Sequence, residues 1–188
     1  MSNKGIKRVA VFIDGSNLYF KLKSLKIKNL SRFDYRGLIN WLSHKRKIVA
    51  INYYIGAVRA KTNDEKGQKL RKAQINLFNF LRSKKQGIKI HKGYLMQNDG
   101  VWHEKGVDVK IAVDLLVGAY ENLYDEAIIL SSDTDLLPAM EKVKSLGKTL
   151  EYIGFGHEPA LAMQTFANIS RLLIKDELEP FINKSKKK

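Results

Sequence analysis

The sequence predicts an α/β fold, with a central, mostly parallel sheet of about five strands and helices on both faces. Three observations carry that expectation. Short continuous apolar runs, VAVFI from Val9 to Ile13 and AIIL from Ala127 to Leu130, read as strands buried on both faces. Each is followed by apolar residues at helical spacing, such as Leu136, Leu137, Met140 and Val143 after the second run. Strand-like and helix-like stretches then alternate along the chain, which favours parallel pairing through right-handed crossovers.

The elements follow in order. The first strand is roughly Arg8 to Ile13, and Asp14-Gly15-Ser16-Asn17 turns the chain. Gly15 permits a close backbone approach or a positive φ. Ser16 or Asn17 can cap the next helix, which holds Leu18, Leu22 and Leu25. Lys21, Lys23, Lys26 and Lys28 make a basic run. Asp34 is placed to cap a helix from Tyr35 to about Lys45, with Leu38, Ile39 and Leu42 inward. Ile48–Val58, rich in β-branched and aromatic residues, predicts the second strand. After a polar loop, Asn63 or Asp64 starts a long helix with Leu70, Gln74, Leu77 and Leu81 along one face, and Gly87 ends it. Ile88–Leu95 predicts the third strand and Asn98-Asp99-Gly100 a turn. Lys105-Gly106-Val107-Asp108 opens a helix through about Asn122. The fourth strand, ending at Leu130, leads to a helix that begins near Thr134 and ends at Ser145-Leu146-Gly147. Thr149–Ile153 is the fifth strand, Pro159–Asn168 a short helix, Arg171–Ile174 a last short strand and Asp176–Ile182 a terminal helix. Residues 1–182 are expected to form one domain, and 183–188, NKSKKK, a disordered basic tail.

Composition narrows the class of function. The 188 residues suit one domain with a full core, and cysteine is absent, which excludes a disulfide framework and a thiolate zinc site. No stretch approaches the roughly 18 apolar residues of a membrane span, and the first residues lack a leader-like apolar run, so a soluble, cytoplasmic protein with no membrane partner is expected. The net charge of +15 is lopsided. Residues 1–94 carry 23 Lys+Arg against 4 Asp+Glu, a balance of +19, whereas residues 95–188 carry 11 against 15, a balance of −4. A basic surface beside an acidic pocket suits an enzyme that holds a polyanion and cuts it with metal ions. The plain alternative is a solubilising surface.

The candidate chemistry lies where the apolar strands end. Asp14 follows the first strand, and Asp133 and Asp135 follow the fourth, so all three share the carboxyl rim of the sheet, where α/β folds bind ligands. At about 100° per residue, Asp108 falls on an apolar side of its helix between Leu115 and Ala119, a costly place for an acid without a partner or metal. As an N-terminal acid it also gains from the helix dipole. Asp114 falls near Lys110 on the more polar side, where an i,i+4 pair is the alternative to a site role. An all-carboxylate set without cysteine fits Mg²⁺ or Mn²⁺.

Three segments in order, VAVFIDGSN (Val9 to Asn17), KGVDVKIAVDLL (Lys105 to Leu116) and IILSSDTDLLP (Ile128 to Pro138), resemble the NYN domain family, a branch of the PIN-like nucleases that includes the LabA-like proteins. The resemblance spans about Arg8 to Gly154. It implies a Rossmann-like, PIN-type three-layer fold, an acidic cluster that binds Mg²⁺ or Mn²⁺, and ribonuclease activity. On this chain the implied cluster is Asp14, Asp108, Asp133 and Asp135, with Asn17 beside it, and Asp114 matches a further acid that recurs in the family. Ser131-Ser132 departs from the Ser-Gly found in many members but removes no carboxylate.

The expected partner is RNA, with a homo-oligomer open as a further possibility. Arg59, Lys61, Lys69 and Lys72 are candidate backbone contacts, and Lys105 a candidate contact to the scissile phosphate or an ordinary surface lysine. Tyr53, Tyr54, Tyr94 and Trp102 are candidates either to stack bases or to pack in the core. His103 reads as a surface or loop histidine. The chief rival from another class is a non-catalytic RNA-binding or regulatory module with a vestigial metal site. A haloacid-dehalogenase-type phosphatase would want a second Asp where Ser16 stands, and a receiver domain would usually add a strand-end lysine that Thr149–Gly154 lacks.

Overall fold

The computed structural model of the chain describes residues 5–27, 30–60, 62–98 and 101–182. Lys28, Lys61, the Asp99-Gly100 part of the turn and the tail at 183–188 lie outside the described residues, as do the side chains of Trp102 and His103. Seven strands, β1 (Arg8–Asp14), β2 (Lys47–Val58), β3 (Lys89–Asn98), β4 (Val101–Lys105), β5 (Glu126–Leu130), β6 (Thr149–Phe155) and β7 (Ile169–Leu173), form one sheet in the order β4-β3-β2-β1-β5-β6-β7. Every neighbouring pair is parallel except β3–β4. The helices are α1 (Gly15–Ser24), α2 (Tyr35–Ser43), α3 (Glu65–Arg82), α4 (Val107–Tyr120), α5 (Leu137–Ser145), α6 (Leu161–Phe166) and α7 (Lys175–Leu178). The sheet is thus larger than the five or so strands expected. The short strand expected at the end is real, and the stretch after the Asn98-Asp99-Gly100 turn folds back as β4.

Alternation along β1 builds two cores. Val9, Val11 and Ile13 face α1, α2 and α3 through Leu18, Leu22, Leu38, Leu42 and Leu81. Ala10 and Phe12 face α4 and α5 through Ile111, Leu115, Met140 and Val143. Helices α1 to α3, all from the basic half of the chain, therefore make one outer layer. Asp34 and Asp64 cap α2 and α3, accepting the Gly37 and Gly67 N–H at 3.1 and 2.8 Å. The cap of α1 is Asp14 rather than Ser16 or Asn17, because the helix begins at once after the strand. Gln74 ties α3 to the end of β2, accepting from the Val58 N–H at 2.9 Å and donating to the Gly56 carbonyl at 2.8 Å.

Candidate active site at the carboxyl rim

From β1 the chain moves through β2, β3 and β4 on one side, then returns to β5, β6 and β7 on the other. Connections that leave β1 and β5 in opposite directions open a crevice at their carboxyl ends, the topological switch point. Asp14 closes β1 there, and Ser131, Ser132 and Asp133 follow β5. One Asp14 oxygen accepts the Asn17 N–H at 2.9 Å and the other accepts the Ser131 hydroxyl at 3.1 Å. Ser131 Oγ in turn accepts the Asp133 N–H at 3.2 Å. The Ser132 hydroxyl donates to Asn17 Oδ1 at 3.4 Å, so the second serine adds a stitch between the two loops. It leaves the Asn17 amide nitrogen available as a donor. Asp133 accepts the Asp135 N–H at 2.9 Å and caps the short 3₁₀ turn Thr134–Leu136.

A carboxylate that the sequence did not flag joins this group. Glu104 on β4 pairs with Leu95, so the β3–β4 hairpin overhangs the rim. Its side chain reaches back across the sheet and accepts the N–H of Gly56. Gly56 leaves room for that side chain, and Gly93, in register with it, leaves room for the start of α4. A Cβ on Gly56 would sit 2.9 Å from Glu104 Oε1, and one on Gly93 2.6 Å from Val107 Cγ2 and 2.7 Å from the Lys105 carbonyl. The signal was present in the turn at Asn98-Asp99-Gly100. Extending the strand pattern past it would have set Glu104 opposite Leu95.

The electrostatics follow from this crowding. The Asp14 carboxyl is pushed up to about 6, chiefly by burial, with Glu104 and Asp133 adding like-charge repulsion. The bonds from Asn17 and Ser131 pull the other way and do not cancel it. No lysine or arginine is among these leading influences.

The remaining candidates fall in distinct places. Asp108 is half-buried in the first turn of α4, which starts at the same rim, and no hydrogen bond or ion pair among the described residues holds its carboxylate. Asp135 is exposed. Asp114 is engaged elsewhere: it accepts from the Tyr54 hydroxyl at 3.0 Å, pairs with Lys110 at 2.6 Å and lies 3.4 Å from His91. Its carboxylate thus serves the α4–sheet contact. Tyr53 and Tyr54 are buried core residues, whereas Tyr94 is 59% exposed with Arg59 stacked over its ring at 5.2 Å. Lys105 is Tyr94's cross-strand partner, so Arg59, Tyr94 and Lys105 form one exposed group. Lys69 and Lys72 are exposed on α3. A cavity of about 730 Å³ lined by Lys7, His44, Arg46, Glu126 and Glu151 lies at the opposite, amino end of the strands. Arg46 ion pairs to Glu126 and Glu151 at 2.8 and 2.7 Å help close it.

The NYN domain description matches residues 8–173, most of the chain and all seven strands. The chain belongs to the NYN domain family. Within the family, it is 26% identical over 140 residues to the low amplitude and bright protein LabA of Synechococcus elongatus, covering 73% of this chain and 68% of that protein. Its fold is similar to the crystal structure of a protein of unknown function from Vibrio parahaemolyticus, with a TM-score of 0.64 at 20% identity, covering 94% of this chain and 98% of that one. NYN membership ties the chain to nuclease-type, RNA-related function. No helix among the described residues of this NYN domain is long and apolar enough to cross a membrane.

The NYN family also brings divalent metals into question. Among the described residues no group of three or more His, Asp or Glu side chains is assembled as an ion cage. Asp14, Asp108, Asp133 and Asp135 thus do not converge as a ready-made set. The donor chemistry nonetheless suits a hard cation: carboxylate oxygens gather about a half-buried acid, and the chain has no cysteine to supply a thiolate.

Proposed function

We propose that this NYN domain is a Mg²⁺- or Mn²⁺-dependent ribonuclease that hydrolyses phosphodiester bonds of RNA at the switch point. The observation that supports it most is the hydrogen-bonded convergence of Asp14, Ser131 and Asp133 at the switch point, where Glu104 and Asp133 add like charge to a buried Asp14, a pattern that a divalent cation would relieve. Asp14 and Asp133 are the residues to hold the ion, with Glu104, Asp108 and Asp135 completing its shell directly or through water. When bound, the ion supplies an activated water, neutralises phosphate charge and stabilises the leaving oxygen. Asn17, whose Oδ1 is occupied by Ser132, directs its amide N–H toward a phosphate oxygen or water. Asp135, exposed beside Asp133, orients the attacking water. Asp114 is assigned no metal role, since Tyr54 and Lys110 already use its oxygens.

The basic α1–α3 layer carries the substrate. Arg59, over the Tyr94 ring, and Lys105, its cross-strand partner, contact the RNA backbone while Tyr94 presents a face to a base. Lys69 and Lys72 extend the track along α3.

Cleavage of end-labelled single-stranded RNA in Mn²⁺, Mg²⁺ and EDTA tests the reading, with Asp14→Asn and Asp133→Asn beside the wild type. Metal-dependent cutting, lost at least about 100-fold in both variants, is expected. Cutting that survives either substitution refutes the site. Salt-sensitive binding without cutting in any metal replaces the ribonuclease with a non-catalytic RNA-binding module.

A further inference from the structure

Helix α1 carries two large apolar side chains that its packing does not use. Leu18 and Leu22 face the core, whereas Phe20 is 63% exposed and Tyr19 42% exposed. Their rings meet edge to face, with centroids 5.4 Å apart and planes at 78°. An aromatic ring left in water forgoes a large burial gain, and two adjacent on one short helix make a local apolar surface with a defined shape.

The position of that surface is what gives it meaning. Phe20 stands three residues after Asn17, so the two share a helix face about one turn apart, with Cβ atoms roughly 5–6 Å from each other. Asn17 in turn is bonded to both loops of the acidic rim, through its N–H to Asp14 and through its amide oxygen to Ser132. The ring therefore follows, about one helical turn on, the residue that is bonded to the acidic rim. Its surroundings are cationic. Lys23 lies over the Tyr19 ring at 5.9 Å, Lys26 is exposed just past the helix, and Lys21, next to Phe20, is held by Glu158 at 2.7 Å. Exposed rings among lysines suit a base with its phosphate and do not suit an apolar protein partner.

We propose that Phe20, with Tyr19 braced against its edge, is a stacking step for the RNA base next to the scissile phosphate. Phe20 on α1 and Tyr94 on β3 would then be two separate stacking faces for one strand. A stacking face accepts every base, so this subsite favours single-stranded over paired RNA and has little sequence preference. The inference rests on the ribonuclease reading for its choice of ligand.

The test uses full-length protein carrying Asp14→Asn, to prevent cutting, titrated onto fluorescein-labelled single-stranded RNA and onto an RNA of the same length with abasic sugars. Phe20→Ala, Phe20→Leu and Phe20→Trp are each placed in that background. Stacking predicts that Ala and Leu weaken binding of the intact RNA by about 5- to 100-fold, that Trp retains it, and that none alters binding of the abasic RNA. Leu keeps the apolar bulk, so a loss with Leu separates stacking from simple burial. Equal affinity of all variants for intact RNA overturns the stacking step and leaves the ribonuclease reading in place. Equal losses on both RNAs also overturn it, because the effect is then not on a base. An Asp14→Asn parent that binds neither RNA overturns both readings.

Discussion

Replacing Asp14 with Asn in metal-free protein should raise stability at neutral pH while removing activity. Asp14 titrates at about 6 in the folded chain against an ordinary value of 3.8. Between those values the native state holds a proton that the unfolded state has lost, so stability falls as pH rises from about 4 to about 6 and stays lowered above that. A shift of this size is worth about 3 kcal/mol at about 1.4 kcal/mol per pKa unit, and water reaching the half-buried group makes that an upper bound. Asn keeps the local bonds. Its oxygen accepts the Asn17 N–H, and Ser131 Oγ can accept from its amide. At roughly 2–4 °C per kcal/mol for a chain of this size, the variant should melt about 5–10 °C above wild type at pH 7 in EDTA. At pH 4 the gap should nearly vanish, because native Asp14 is already protonated there. Mn²⁺ should then raise the melting point of wild type and not that of the variant, since only the ionised carboxylate gains a ligand bond. A variant less stable than wild type at pH 7, or a gain unchanged at pH 4, refutes the crowded-acid argument.

Other substitutions probe separate links. Gly93→Ala drives a Cβ against Val107 and the Lys105 carbonyl, backbone that cannot yield, so it should cost about 1–3 kcal/mol in urea unfolding, and an unchanged midpoint would show that the α4 start is looser than described. Asp125→Ala removes the acceptor of the Arg8 backbone N–H at 2.8 Å and guanidinium at 2.9 Å. The Arg8 hydrogen bonds hold the Asp125 carboxyl down at about 2, so the stability it gives, about 0.5–1 kcal/mol for so exposed a pair, is present above pH 4 and should fade as pH falls toward 2. A difference between wild type and variant that persists unchanged at pH 2 would contradict this. Arg59→Ala should weaken RNA binding evenly across sequences and lower the salt slope by about one, read from binding isotherms at several salt concentrations.

Much of the fold was legible because buried parallel strands announce themselves. VAVFI and AIIL have no other cheap place in a folded chain, and the acids after them mark the rim without further help. Asp34 and Asp64 were readable as caps for the same local reason: a short acid before a helical pattern satisfies an orphan N–H. What escaped was non-local. β4 is five residues long at the sheet edge and is defined by its antiparallel partner, not by its own pattern. The turn sets Glu104 opposite Leu95, but its contact with Gly56 depends also on the pairing of β3 with β2, which no local pattern contains. Asp114 could not be assigned on a helical wheel alone. Lys110 is a local partner, but Tyr54 and His91 come from strands that the wheel does not contain.

Asp14 shows why a capping role and a site role are not rivals on this chain. Its bond to the Asn17 N–H is an ordinary helix cap, and by itself such a bond favours the ionised acid. Asp34 makes the same bond to Gly37 and receives the Gln86 amide as a second donor, at 2.9 Å. Asp14 likewise has two donors, yet its net shift is upward, because burial outweighs them and Glu104 and Asp133 add to it. Capping α1 alone requires neither acid. Glu104 lies over Gly56, where a Cβ would meet it, and that contact does nothing for the α1 cap. The arrangement raises the cost of a charge at Asp14, and under the proposed function a divalent cation would offset that cost. Losing either acid would relieve that repulsion, but it would also release the Gly56 N–H that Glu104 holds or the 3₁₀ turn that Asp133 caps.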